Sequence, residues 1–147
     1  MLALFLFAAS ETVAVPPAEQ AAIYAAAGFA RQGGQWKSGN CDGAESQSYS
    51  PGAIDIYRDI NGDGRPEAVV TEGGAICYGM TGSHFWLLSK QADGSWRRIH
   101  DETAMPGFLK TRGANGWPDI EMGGPGFCFP VWRFDGQRYA LLKGCSR

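Results

Sequence analysis

One stretch carries residue types and spacing that could do chemistry: Asp59-Ile60-Asn61-Gly62-Asp63-Gly64-Arg65-Pro66-Glu67. Oxygen-bearing side chains stand at loop positions 1, 3, 5 and 9. That alternation suits Ca²⁺, a hard cation that takes about six to eight oxygen ligands. Asp59, Asn61 and Asp63 would point inward from a tight loop, Arg65 would offer its backbone carbonyl, and Glu67 would close the site. Gly64 at position 6 permits the sharp turn that such loops need. Three carboxylates crowded into so short a span repel one another without a cation. The loop is not an EF-hand: Val70 stands where a bidentate Glu belongs, and the flanks read as strands. The competing reading is a plain turn, because Asn-Gly and Asp-Gly form turns readily and Asp and Asn cap their own backbone.

The pattern D-x-N-x-D-G-x-x-E between two strands resembles the calcium loop of FG-GAP and VCBS-type repeats, known from integrin propeller blades and bacterial surface proteins. It occurs once here, so a propeller of several blades is excluded. A broader resemblance rests on DINGDGRPEAVVTEGG, CYG, FWLLSK and GWPDIEMGGPGFCFPVWR. These runs look like a family of small exported bacterial proteins to which no activity is assigned. That resemblance implies a compartment and carries no catalytic residues to this chain.

Other candidates are weaker. His84 and His100 are the only histidines, and neither has the spacing of a nucleophilic triad or zinc site. Both read as surface residues at strand ends. Asp119 and Glu121 flank Ile120 and would share one strand face, the weak candidates for paired-carboxylate hydrolysis. Gly123-Gly124-Pro125-Gly126 lacks the Lys-Ser/Thr of a phosphate loop. With Trp117 and Phe127 interleaved, the stretch Gly113 to Pro130 reads as a binding loop or, favoured by the usual burial of aromatics, as aromatic core. Trp36 and Trp117 are the expected surface tryptophans; Trp86, Trp96 and Trp132 are expected to pack.

The elements that must position these residues follow from periodicity. Ala18 to Ala30 is alanine-rich, with Ala22, Ile23, Ala26, Phe29 and Ala30 on one face, and predicts a helix ending at Gly33-Gly34. Ile54 and Ile56, alternating with Asp55 and Tyr57, predict a half-buried strand. Glu67 to Glu72 and Phe85 to Ser89 predict further strands. Phe85 to His100 reads as one hairpin. Val131 to Phe134 and Arg138 to Leu142 flank Asp135-Gly136 and read as another, with a type I′ turn. Asp119 to Met122 predicts one short strand. The fold class expected is α+β, an N-terminal helix packed on a mostly antiparallel sheet of hairpins, in one domain over residues 15–147.

Composition narrows the function. The chain has 147 residues, 13 basic against 15 acidic, and a net charge of −2. A near-neutral surface argues against general nucleic-acid binding. Residues 1–14, with the apolar run Leu2 to Ala9, read as a secretory signal without a basic start, too short to span a bilayer. Cys41, Cys77, Cys128 and Cys145 form no Cys-x-x-Cys pair, and an even count in an exported chain favours two disulfides. Three pairings exist. The Gly-Gly pair shortly before both Cys77 and Cys128 favours Cys77–Cys128 with Cys41–Cys145. The function expected is a periplasmic or secreted, calcium-binding, disulfide-stabilised binding or interaction protein with a protein or glycan partner in the cell envelope. No catalytic residue is assigned, no nucleic acid is expected as partner, and no membrane span is expected in the mature chain. The alternative is a small calcium-dependent hydrolase acting on cell-wall or carbohydrate substrates.

Overall fold

The computed structural model describes residues 14–145. The expected signal segment lies outside the described residues, except for Ala14. Strands occupy 45% of the described chain and helical turns 15%, so the fold is mostly antiparallel β and richer in strand than the α+β expectation. The elements are α1 (Pro17–Ala26), β1 (Ala30–Gln32), β2 (Gln35–Lys37), β3 (Ser50–Arg58), β4 (Glu67–Gly73), α2 (Ala75–Tyr78), β5 (Ser83–Lys90), β6 (Trp96–Glu102), β7 (Met105–Arg112), β8 (Pro118–Gly123), β9 (Val131–Phe134) and β10 (Tyr139–Lys143). One sheet has the order β3-β4-β5-β6 and a second the order β10-β9-β8-β7. All pairings are antiparallel.

Two cores sandwich the first sheet. Val69, Phe85 and Leu87 face the second sheet and pack with Trp117, Ile120, Met122, Phe134 and Tyr139. Ala68, Val70, Trp86 and Leu88 face the other way, onto Ile23 and Tyr24 of α1 and onto Phe29. Strands covered on both faces read as continuous apolar runs, which explains Ala68-Val69-Val70 and Phe85-Trp86-Leu87-Leu88. Each fully buried Val, Leu or Phe among them contributes about 1.5–3 kcal/mol.

The helix ends earlier than its alanine content predicts. Gly28 takes φ 85°, its N–H bonds the Ala25 carbonyl, and the Phe29 N–H bonds the Tyr24 carbonyl at 2.8 Å. Those two bonds are a Schellman cap, and the Phe29 and Tyr24 rings supply its apolar contact at 5.8 Å. Gly33 and Gly34, expected to stop the helix, instead form the two-residue turn between β1 and β2, both at positive φ.

Three other local expectations change. Ile54 pairs with Val70 and Ile56 with Val69, so a bulge separates them. Ile54 packs on the helix side and Ile56 between the sheets, although simple alternation places them on one face. The hairpin β9–β10 is closed by the four residues Asp135–Arg138, with Asp135 Oδ1 accepting from Gln137 N at 2.8 Å and Arg138 N at 2.9 Å. Within that turn only Gly136 has positive φ, which excludes type I′. The disulfides are Cys41–Cys77 and Cys128–Cys145, with Cα separations of 5.2 and 5.8 Å; the expected pairing is wrong. Antiparallel pairing sets Val131 opposite Lys143, which brings the residues just outside that hairpin, Cys128 and Cys145, together. Cys77 sits in α2, against the loop that carries Cys41.

The molecule therefore has two unlike ends. Both disulfides staple one end. At the other, the turns β3–β4, β5–β6, β7–β8 and β9–β10 converge, tied across the sheets by Arg112 Nη1 to the Ile60 carbonyl and Arg97 Nη2 to the Gln137 carbonyl, both 3.3 Å.

Candidate functional site

The acidic loop is the β3–β4 turn. Asp59 accepts from Gly62 N at 2.8 Å and Gly64 N at 2.9 Å through its two oxygens. Asn61 Oδ1 accepts from Asp63 N at 3.0 Å. Asp63 accepts from Arg65 N at 2.8 Å and pairs with the Arg65 guanidinium at 3.0 Å. Glu67 turns out of the loop into the space between the sheets, fully buried, where it accepts from Ile60 N at 2.6 Å and from the Ser89 hydroxyl at 2.8 Å. Burial pushes its pKa up against those bonds. Among the described residues no three His, Cys, Asp or Glu side chains converge as a metal cluster, so the expected set is not gathered around one point. Asp59, Asn61 and Asp63 keep oxygen lone pairs in the exposed loop, whereas Glu67 is committed inward.

The β7–β8 turn buttresses this loop. Arg112 Nη1 bridges the Ile60 and Gly116 carbonyls. Gly116 lies at φ 78°, and a Cβ there would overlap the Asn61 carbonyl oxygen. Gly116→Ala is expected to separate the two turns and to lower stability by about 1–3 kcal/mol. A denaturant melt and the backbone amide spectrum of residues 59–67 check this; an unchanged spectrum would contradict it.

Between these turns opens a cleft of about 290 Å³ lined by Asn61, Asp63, Arg65, Ser89, Gln91, Arg97, Ile99, Asn115, Trp117 and Phe134. Ile99, Trp117 and Phe134 belong to the inter-sheet core and form the apolar side. Charged and amide groups and Ser89 form the rest. Asn115 is the only described non-glycine residue at positive φ (56°), a conformation that Asn adopts more readily than most side chains.

The remaining expected site residues are scattered. Trp117 is buried, 4% exposed, and contributes to the cleft wall, not to a surface patch. Phe127 is fully exposed and does not line the cleft, so the two are not one ligand loop. Trp36 stacks on Tyr24 at 4.5 Å and is partly buried. Asp119 is buried and holds Arg133 at 2.8 Å and the Thr111 hydroxyl at 2.6 Å. The Arg133 bonds, outweighing burial, hold its carboxyl below the usual range. Glu121 makes none of these contacts.

Both histidines are largely buried, with side chains 16% and 17% exposed, contrary to the surface reading. His84 bridges the Thr103 hydroxyl at 2.8 Å and Asp101 at 2.9 Å, clamping β5 to the β6–β7 corner. His100 lies among Phe85, Trp132 and Tyr139.

Arg97, Gln91 and Asn115 went unnoticed in sequence. Arg97 sits in an ordinary polar strand end, and nothing local marks it. Asn115 stands before a glycine and passes for a turn residue, although Asn is among the residues that tolerate its conformation. No family model, curated protein or solved structure matches the chain.

Proposed function

We propose that this protein is an exported, disulfide-stapled binding module that takes a small ligand in the cleft at its turn end, with Ca²⁺ in the acidic loop fixing one wall. The observation that carries the reading is shared membership: Asn61, Asp63 and Arg65 belong to the loop and line the cleft. Anything that stiffens the loop therefore shapes the site. Two disulfides support an oxidising compartment, the periplasm or outside the cell. No described helix is long and apolar enough to cross a membrane.

Asp59, Asn61, Asp63 and the Arg65 carbonyl would hold the cation, and Glu67 would brace the loop from behind. The cation's contribution is charge neutralisation, which relieves the repulsion between Asp59 and Asp63. Hydrolysis of cell-wall or carbohydrate substrates through Asp119 and Glu121 draws no support from the geometry. A carboxylate held ionised by a guanidinium is a poor general acid, and Asp119 is enclosed.

A thermal melt of the oxidised protein in EDTA and in calcium tests the cation. With a weak extracellular-type Kd near ~10⁻³ M, about 10 mM Ca²⁺ adds about 1.4 kcal/mol. That is a rise of about 3–5 °C in Tm. Asp63→Ala should abolish the rise. An equal Tm in EDTA and calcium would reduce the loop to a self-capped turn.

A further inference from the structure

We infer that the cleft selects small organic carboxylates, with Arg97 taking the charge. The inference rests on the cleft being a ligand site. Three charged side chains line it: Asp63, Arg65 and Arg97. Asp63 and Arg65 neutralise each other at 3.0 Å, and Arg65 Nε is spent on the Lys90 carbonyl at 3.1 Å. Arg97 has no carboxylate within ion-pair distance among the described residues. Its hydrogen bond goes to a neutral carbonyl, that of Gln137, at 3.3 Å. The cleft thus carries at least one uncompensated positive charge, that of Arg97, and a cation sharing Asp63 would add to it; the planar fork of Arg97 matches a carboxylate in two parallel hydrogen bonds.

The rest of the lining narrows the ligand. Asn61, Gln91 and Asn115 are neutral amides that offer donors and acceptors without a second charge. They suit hydroxyl or amide groups next to a monoanion better than the concentrated charge of a phosphate. Ile99, Trp117 and Phe134 offer an apolar surface for a carbon skeleton. A volume of about 290 Å³ stands at the small end of ligand sites. The site is also built in advance. Gly113 N bonds the Trp117 carbonyl at 2.8 Å, closing the turn that presents Asn115, and Arg112 ties that turn to the acidic loop. Preorganisation of this kind reduces the ordering cost of binding.

The experiment titrates ¹⁵N-labelled oxidised protein with benzoate, with its neutral counterpart benzamide, and with inorganic phosphate, following the Asn115 amides, the Trp117 indole and the Arg97 Nε–H. Benzoate is expected to shift all three and to bind about tenfold more tightly than benzamide, the difference a charge-assisted pair supplies. Arg97→Gln should remove that preference while benzamide binding stays unchanged, and Arg97→Lys should restore part of it. Asn115→Gly, which suits the positive φ, should weaken both probes without lowering Tm. Equal binding of benzoate and benzamide, phosphate binding as tight as benzoate, or an Arg97→Gln variant indistinguishable from the parent would overturn the carboxylate inference and leave the cleft as a ligand site. No shift at Asn115 or Trp117 with any probe would remove both.

Discussion

Glu72→Ala is expected to cost about 3–5 kcal/mol, because it leaves several buried hydrogen-bond donors without an acceptor. Glu72 is 1% exposed. It accepts four hydrogen bonds: from Ser38 N at 3.0 Å, the Ser38 hydroxyl at 2.5 Å, Tyr49 at 2.6 Å and Tyr78 at 2.5 Å. Removing the carboxylate strands the Tyr78 hydroxyl in the helix-side core and releases the loop between β2 and β3. Glu72→Gln should lose less, since a carboxamide oxygen keeps part of the acceptor set. Urea unfolding measures both; a loss under about 1 kcal/mol for the alanine variant would show that water replaces the tyrosines' acceptor.

The same residue gives the acid limb of stability. Burial alone would raise the Glu72 pKa, but the bonds from Ser38, Tyr49 and Tyr78 outweigh it and hold the folded value below the ordinary one. A depressed folded pKa means that the unfolded chain binds the proton first as pH falls. The stabilisation is complete above the unfolded glutamate pKa of about 4.3 and is lost as pH drops through the lower folded value. The parent protein should therefore lose its advantage over Glu72→Gln on acidification. An advantage that grows below pH ~4 would reverse the sign and refute the assignment.

Opening Cys41–Cys77 is the second large expected effect. The bond spans a sequence separation of 36 residues and Cys128–Cys145 one of 17. Loop-closure entropy assigns them about 4 and about 3 kcal/mol. A Cys41→Ser, Cys77→Ser variant should unfold at clearly lower denaturant than the parent. Cys41–Cys77 and Glu72 anchor the same loop, so combining their removal should cost less than the sum. Proteolytic mapping of the oxidised chain should recover 41–77 and 128–145 peptides. A peptide joining Cys77 to Cys128 would contradict the pairing.

What the sequence determined by itself is the local chemistry. Asp93-Gly94 and Asp135-Gly136 close their hairpins because Asp caps the backbone N–H groups two or three residues on, a contact that needs no partner from elsewhere. The run Phe85 to Ser89 announced a strand, and the sheet order then placed it inside, covered on both faces. The acidic loop was legible for the same reason: its hydrogen bonds lie within a few residues. Tertiary structure decided what local pattern cannot encode. Glu67, Glu72 and Asp119 look alike in sequence, yet one braces a loop, one gathers two tyrosines and a serine, and one holds an arginine. The bulge that parts Ile54 from Ile56 and the partner of each cysteine follow from strand register. The cleft draws Asn61 and Asn115 from two turns and Arg97 and Phe134 from two strands, β6 and β9. Burial and pairing at such separations are set by how the sheets stack, and the free energy that selects them is spread over the whole core rather than written in any one segment.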